Sequence, residues 1–136
     1  MQPKVLVIDD DVAATQMVTT VLELGGFEAL AANCGWDGIV AVYQQEPDAV
    51  LLDLMMPGMD GWQVCETIRK FSWVPILVLS GVVDADQVGR ILEHGATDYL
   101  VKPVPRGVLL AKLKHLTCGD GASHELPLQR ATAPLA

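Results

Sequence analysis

This chain is short of positive charge: 9 Lys and Arg stand against 17 Asp and Glu, a formal net charge of −8. With a pI of about 4.6, such a surface repels phosphate backbones, which argues against direct nucleic-acid binding by this segment. Long apolar runs are also missing. None approaches the ~20 residues that a membrane span requires. Met1-Gln2-Pro3-Lys4 leads straight into a short β-type run, without the apolar region and small-residue cleavage site of a signal peptide. The expected location is therefore the cytoplasm, with no membrane contact. Cysteines number only 3, Cys34, Cys65 and Cys118. Their odd count and the lack of C-x-x-C spacing point to reduced thiols, two of them packed in helices, and away from a disulfide or zinc site. His94, His115 and His124 are scattered with no partner at ligand spacing, as expected of surface or helix-end residues.

What is present is apolar and regularly punctuated. A chain of 136 residues, 51% hydrophobic, with a mean hydropathy of +0.33, suits one compact domain with a sizeable core. Val5-Leu6-Val7-Ile8 has no polar alternate and reads as a buried strand. Apolar residues at Val12, Met17, Val18, Val21 and Leu22 follow a helical period over 12–24, which Gly25-Gly26 stops. The same reading gives strands at 27–31, 49–52, 75–79 and 99–101, and helices at 36–45, 62–70, 84–94 and 106–116. The last helix opens poorly, on Pro103-Val104-Pro105-Arg106-Gly107, so its boundary is open.

Five buried strands alternating with helices predict an α/β fold, a doubly wound parallel sheet with helices on both faces, since crossovers are right-handed. In such sheets ligands bind beyond the carboxyl ends of the strands, where strand order reverses. The residues just past each strand are therefore the informative ones. The first strand leads into Asp9, Asp10 and Asp11, the third into Asp53, the fourth into Ser80 and Gly81, and the fifth into Lys102 and Pro103; the second ends in Ala31-Ala32.

With strand order 2-1-3-4-5, Asp9, Asp10 and Asp53 would converge. Three carboxylates at close range raise one another's pKa unless a cation intervenes. Mg²⁺ fits best, with Mn²⁺ the alternative, because it uses one or two carboxylates plus waters and phosphate oxygens. Lys102 would supply positive charge to a transferred phosphoryl group, and the Ser80 hydroxyl with the Gly81 backbone N–H would bond its oxygens. The constellation describes phosphoryl transfer onto Asp53 as nucleophile.

Four motifs carry a resemblance: Val7-Ile8-Asp9-Asp10-Asp11, Leu51-Leu52-Asp53 running on to Met55-Met56-Pro57-Gly58-Met59-Asp60-Gly61, Val78-Leu79-Ser80-Gly81, and Gly95-Ala96-Thr97-Asp98-Tyr99-Leu100-Val101-Lys102-Pro103. In this order they resemble the receiver domains of two-component response regulators, over residues 4–116. The resemblance implies a flavodoxin-like (βα)5 single domain with strand order 2-1-3-4-5. It implies that Asp53 is the phosphoacceptor, that Asp10, Asp53 and the Met55 backbone carbonyl hold Mg²⁺, and that Asp9 acts mostly through a bound water. It further implies that Lys102 contacts the phosphoryl group through a cis Lys102-Pro103 segment. Ser80 and Tyr99 would form a switch pair acting on the face made by the fourth helix, fifth strand and fifth helix. The implied partners are a sensor histidine kinase or phosphotransfer protein, and a second copy of the chain through that same face, where Val88, Ile91, Leu92 and Val108 would be presented. The activity expected is that of a signalling phosphoprotein with Mg²⁺-dependent self-phosphorylation, not of a turnover enzyme.

Met55 and Val82, two positions past Asp53 and Ser80, are apolar and occupy sites that in this family govern water access to the acyl phosphate, so slow self-dephosphorylation is expected. Asp11 is expected to cap a helix. Trp36, Trp62 and Trp73 are expected to pack or to meet a partner, and Arg106, Lys112 and Lys114 to form a solvated face. Residues 117–136 read either as the tail of a stand-alone receiver or, the favoured reading, as a linker leading to an output domain. Two other readings compete. The run Asp9-Asp10-Asp11-Val12 also fits the nucleophile motif of haloacid dehalogenase-like hydrolases, with Asp9 as nucleophile and Asp11 as acid/base, but Asp53 would then go unexplained. A receiver that is never phosphorylated usually lacks the acid, hydroxyl or lysine, and all three are present here.

Overall fold

The computed structural model describes residues 2–81 and 85–118. Five strands, β1 (Lys4–Ile8), β2 (Glu28–Ala32), β3 (Ala49–Asp53), β4 (Ile76–Ser80) and β5 (Asp98–Val101), alternate with helices α1 (Val12–Leu24), α2 (Gly35–Gln45), α3 (Gly61–Ile68), α4 (Ala85–Glu93) and α5 (Arg106–Thr117). The strands form one parallel sheet in the order β2-β1-β3-β4-β5. The α/β fold with that order is as expected from the sequence.

The period of two along each strand divides the core. Leu6, Ile8, Val50, Leu52, Ile76 and Val78 face α2, α3 and α4, whereas Val5, Val7, Leu51 and Leu77 face Leu22 of α1 and Leu109 and Leu113 of α5. All five residues of central β3 are buried, so Asp53, at its end, is held by a strand that neither face can release cheaply.

Local chemistry sets the helix ends. Asp11 caps α1, its carboxylate accepting from the N–H groups of Ala13 and Ala14, the role expected for it. Gly26, with φ +96°, takes the left-handed turn that ends this helix. Asp60 and Gln63 form a reciprocal capping box at α3. A Cβ on Gly61 would stand 2.9 Å from the Leu54 Cα, so glycine lets α3 begin directly against the residue after Asp53.

Several expectations need correction. α3 ends at Ile68, short of 70, because the next turn tightens to i→i+3 bonds from Lys70 and Phe71 N–H to the Thr67 and Ile68 carbonyls. Only Cys65 is packed within a helix; Cys34 and Cys118 are exposed caps of α2 and α5. Burial pushes the Cys65 thiol up to about 12. Ile91 belongs to the core at 1% exposure and is not presented on the outer face, whereas Leu92 and Val108 are exposed; the side chain of Val88 lies outside the described residues. Lys112 pairs with Asp98 at 2.7 Å instead of standing free in solvent. Val82, the expected helix start at 84, His124 and the tail from 119 onward also lie outside the described residues. Among those described, no helix is long and apolar enough to cross a membrane.

Candidate functional site

Register brings the acidic residues to one edge. Ile8 pairs with Leu52 in the parallel ladder, so the next residues, Asp9 and Asp53, emerge side by side. One carboxylate oxygen from each of Asp9, Asp10 and Asp53 lies within 4.8 Å of the others. Their exposure is graded: Asp10 is exposed, Asp9 half-buried and Asp53 only 7% exposed. A set of hard oxygen donors, two on one loop and one on the next strand, fits a small divalent cation that keeps its remaining sites for water and phosphate.

Each acid is oriented differently. Asp53 Oδ1 accepts from the Lys102 ammonium at 3.2 Å and from the Met55 backbone N–H at 3.3 Å. Asp9 Oδ1 accepts from the Asp11 N–H at 3.0 Å, while its own N–H reaches the Ala32 carbonyl at 3.1 Å. Burial holds the Asp9 carboxyl above the ordinary carboxylate value; the Asp11 N–H and Lys102 oppose that rise, and the charges of Asp53 and Asp10 add to it.

The remaining predicted residues are distributed around this centre. Ser80 is the last residue of β4 and 1% exposed, and Gly81 comes next, exposed and with open space where a Cβ would be. The Ser80 carbonyl accepts from the Lys102 N–H at 2.9 Å, which fixes the base of the lysine opposite the serine. The Lys102-Pro103 bond is cis. Tyr99 sits on β5 opposite Val78, half-buried against the core that backs α2, α3 and α4. Met55 turns its side chain outward at 69% exposure.

Asp11, which a hydrolase of the haloacid dehalogenase type would use as acid/base, has its Oδ1 committed to the two N–H groups that start α1. A carboxylate oxygen spent on capping is turned toward the helix and away from a leaving group, so it is poorly placed for that role.

Sequence reading missed three positioning elements. Asn33, just past β2, donates its side-chain amide to the Asp9 carbonyl at 2.9 Å and to Thr15 Oγ1 at 3.1 Å. Arg69 donates to the carbonyls of Gly95, Ser72 and Val74 at 2.9, 3.1 and 2.7 Å. Between α3 and α4, His94 Nδ1 lies 2.6 Å from Glu66 Oε2, its ring tilts against Trp62, and Arg90 sits over the Trp62 ring at 5.3 Å. None has a local sequence signature, since each joins segments distant along the chain.

A family model for the response regulator receiver domain matches residues 5–114. The DNA-binding response regulator MtrA of Mycolicibacterium paratuberculosis is 41% identical over 114 residues, which is 84% of this chain and 51% of that protein. Two solved structures are similar throughout. The chemotaxis response regulator CheY4 of Vibrio cholerae gives a TM-score of 0.78 at 30% identity, covering 85% of this chain and 99% of that one. A two-component response regulator from Clostridium difficile gives 0.83 at 27% identity, covering 89% and 100%. The chain spans about half the length of the curated relatives it matches.

Proposed function

The chain belongs to the response regulator receiver domain family of two-component signalling, and from that premise we propose that Asp53 takes up a phosphoryl group from a sensor histidine kinase or phosphotransfer protein. The observation that carries the assignment is the buried Asp53 carboxylate, held by Lys102 and Met55 through Oδ1 and grouped with Asp9 and Asp10. With Oδ1 so engaged, Oδ2 is the attacking atom. An O–P bond forms to Asp53 as the P–N bond to the donor imidazole breaks, and the electron pair of that bond stays with the imidazole nitrogen. Mg²⁺ when bound, held by Asp9, Asp10, Asp53 and the Met55 carbonyl, supplies the charge that neutralises these acids and the phosphoryl oxygens.

The other roles belong to the chain's own groups. Lys102, half exposed on a flexible stem, tracks the phosphoryl oxygens as they leave the donor. The Ser80 hydroxyl and the Gly81 N–H bond those oxygens once they reach Asp53. Ser80 moving toward the phosphoryl group frees space for Tyr99 to turn further inward, which alters the outer face of α4, β5 and α5 and its pairing with a second copy. MtrA is named as DNA-binding; by analogy, the output of this receiver is carried outside the segment, whose own charge disfavours DNA.

The test is incubation with acetyl phosphate and Mg²⁺, then mapping of the added phosphoryl group by mass spectrometry. A single mark that disappears in Asp53→Asn but persists as a labelled species in wild type is expected. Steady release of phosphate that depends on Asp9 and survives Asp53→Asn would overturn the assignment.

A further inference from the structure

Asp9 and Asp10 share one peptide plane, whose oxygen is the Asp9 carbonyl and whose nitrogen is the Asp10 amide. That plane decides where the Asp10 carboxylate points, because only the two flanking dihedrals remain free. The same plane is under load: three carboxylate oxygens lie within 4.8 Å of one another, and like charges at that distance repel when no cation is bound. A side chain from another segment grips the plane. Asn33 donates to the Asp9 carbonyl at 2.9 Å and, from the same nitrogen, to Thr15 Oγ1 at 3.1 Å.

Thr15 makes that grip rigid. It lies on the core-facing side of α1 at 2% exposure, and its hydroxyl donates to the Val12 carbonyl at 2.9 Å, which leaves its oxygen free to accept from Asn33. Asn33 itself is exposed, so without the buried threonine its amide would be solvated and free to turn. On the far side of Asp9, the N–H to Ala32 bond ties the preceding plane to the same β2–α2 junction. Both peptide planes of Asp9 are thus referenced to one neighbouring strand end.

We propose that Asn33, anchored by Thr15, is a positioning residue that holds the Asp9-Asp10 peptide in the orientation needed for cation binding. This deepens the phosphoacceptor reading and rests on it. Asn33 touches neither cation nor phosphate; it acts through the backbone that carries two of the three acids. Such outer partners typically alter metal affinity by ~10–100-fold, and a single bond to the ligand's backbone places this one at the lower end.

The test uses the full chain with Mg²⁺ alone as probe, the dissociation constant being measured by calorimetric titration. Asn33→Ala is expected to weaken Mg²⁺ about tenfold and Thr15→Val by a smaller factor, while Thr15→Ser stays close to wild type. Acetyl phosphate labelling of Asn33→Ala should fall in proportion at limiting Mg²⁺ and recover at saturating Mg²⁺, a split that a merely structural role would not produce. Asn33→Ala or Thr15→Val binding Mg²⁺ as tightly as wild type, with Asp53 still labelled, would overturn the positioning role alone. Wild type that binds no Mg²⁺, or binds it equally well as Asp53→Asn, would overturn the phosphoacceptor reading and the positioning role with it.

Discussion

Lys102 Nζ stands 3.2 Å from Asp53 Oδ1, although the lysine lies just past β5 and the aspartate ends β3, with the whole of β4 between them in the sheet. The pair is lopsided: the lysine side chain is 42% exposed and the aspartate side chain 9%. A buried acid with a solvent-facing base keeps its charge compensated while the base stays free to move. That combination suits a carboxylate that must give up its partner to an incoming phosphoryl group.

Lys102→Ala is expected to slow phosphoryl uptake onto Asp53 by roughly 10²-fold, the usual effect of removing one charge-stabilising donor. Time courses of acetyl phosphate labelling read this directly. Lys102→Arg should restore only part of the rate, because a planar guanidinium cannot reproduce a compact ammonium at 3.2 Å from one oxygen.

Burial, with the charges of Asp53 and Asp10, raises the Asp9 carboxyl pKa against the Asp11 N–H and Lys102. A group whose folded pKa is raised stabilises the metal-free fold below its unfolded value, and that contribution is lost as pH rises through the folded value. Mg²⁺ needs the ionised form, so its affinity falls as pH drops through the same raised value. The gain in Tm on adding Mg²⁺ should therefore be larger at about pH 7 than at about pH 5. Asp9→Asn should raise the metal-free Tm at neutral pH, and chelation should abolish labelling of the wild type.

Met55 sits beside Asp53 with its side chain 69% exposed and no group able to orient water. The acyl phosphate is expected to be long-lived. Met55→Asn combined with Val82→Glu should shorten its half-life by roughly tenfold or more, because both replacements can hydrogen-bond an attacking water. Decay of purified phosphoprotein, monitored by mass spectrometry, measures it, and an unchanged half-life would refute the explanation.

Arg69 ties the end of α3 to the turn before β5 through the carbonyls of Gly95, Ser72 and Val74. Arg69→Ala removes the donor that these three carbonyls share and should cost about 2–4 kcal/mol by urea denaturation. Arg69→Lys should recover little, since one ammonium cannot span three carbonyls.

Much of this molecule was legible along the chain because its inner strands, β1, β3 and β4, are largely buried on both faces, whereas the edge strands β2 and β5 are only partly covered. Val50-Leu51-Leu52 and Ile76-Leu77-Val78 are uninterrupted apolar runs, and the residue at which each run stops is the one the sheet delivers to its carboxyl edge. Asp9, Asp53, Ser80 and Lys102 could be picked out for that reason alone. The helix caps were partly legible, as with Asp11, because capping is a local bond.

Asn33, Thr15 and Arg69 were not legible. Asn33 reaches Thr15 across 18 positions and Asp9 across 24, and Arg69 reaches Gly95 across 26; no periodicity carries such separations. Ile91 failed for a related reason, since its inward turn depends on how α4 lies over the sheet and not on the helix pattern itself. The sequence by itself determined which residues end the strands and what chemistry they bring, because hydrophobic periodicity is a short-range property. Only the tertiary structure decided which of those ends meet, how deeply each acid is buried and which side chains hold the acidic loop in place, because distances and dielectric surroundings exist only once the sheet has closed.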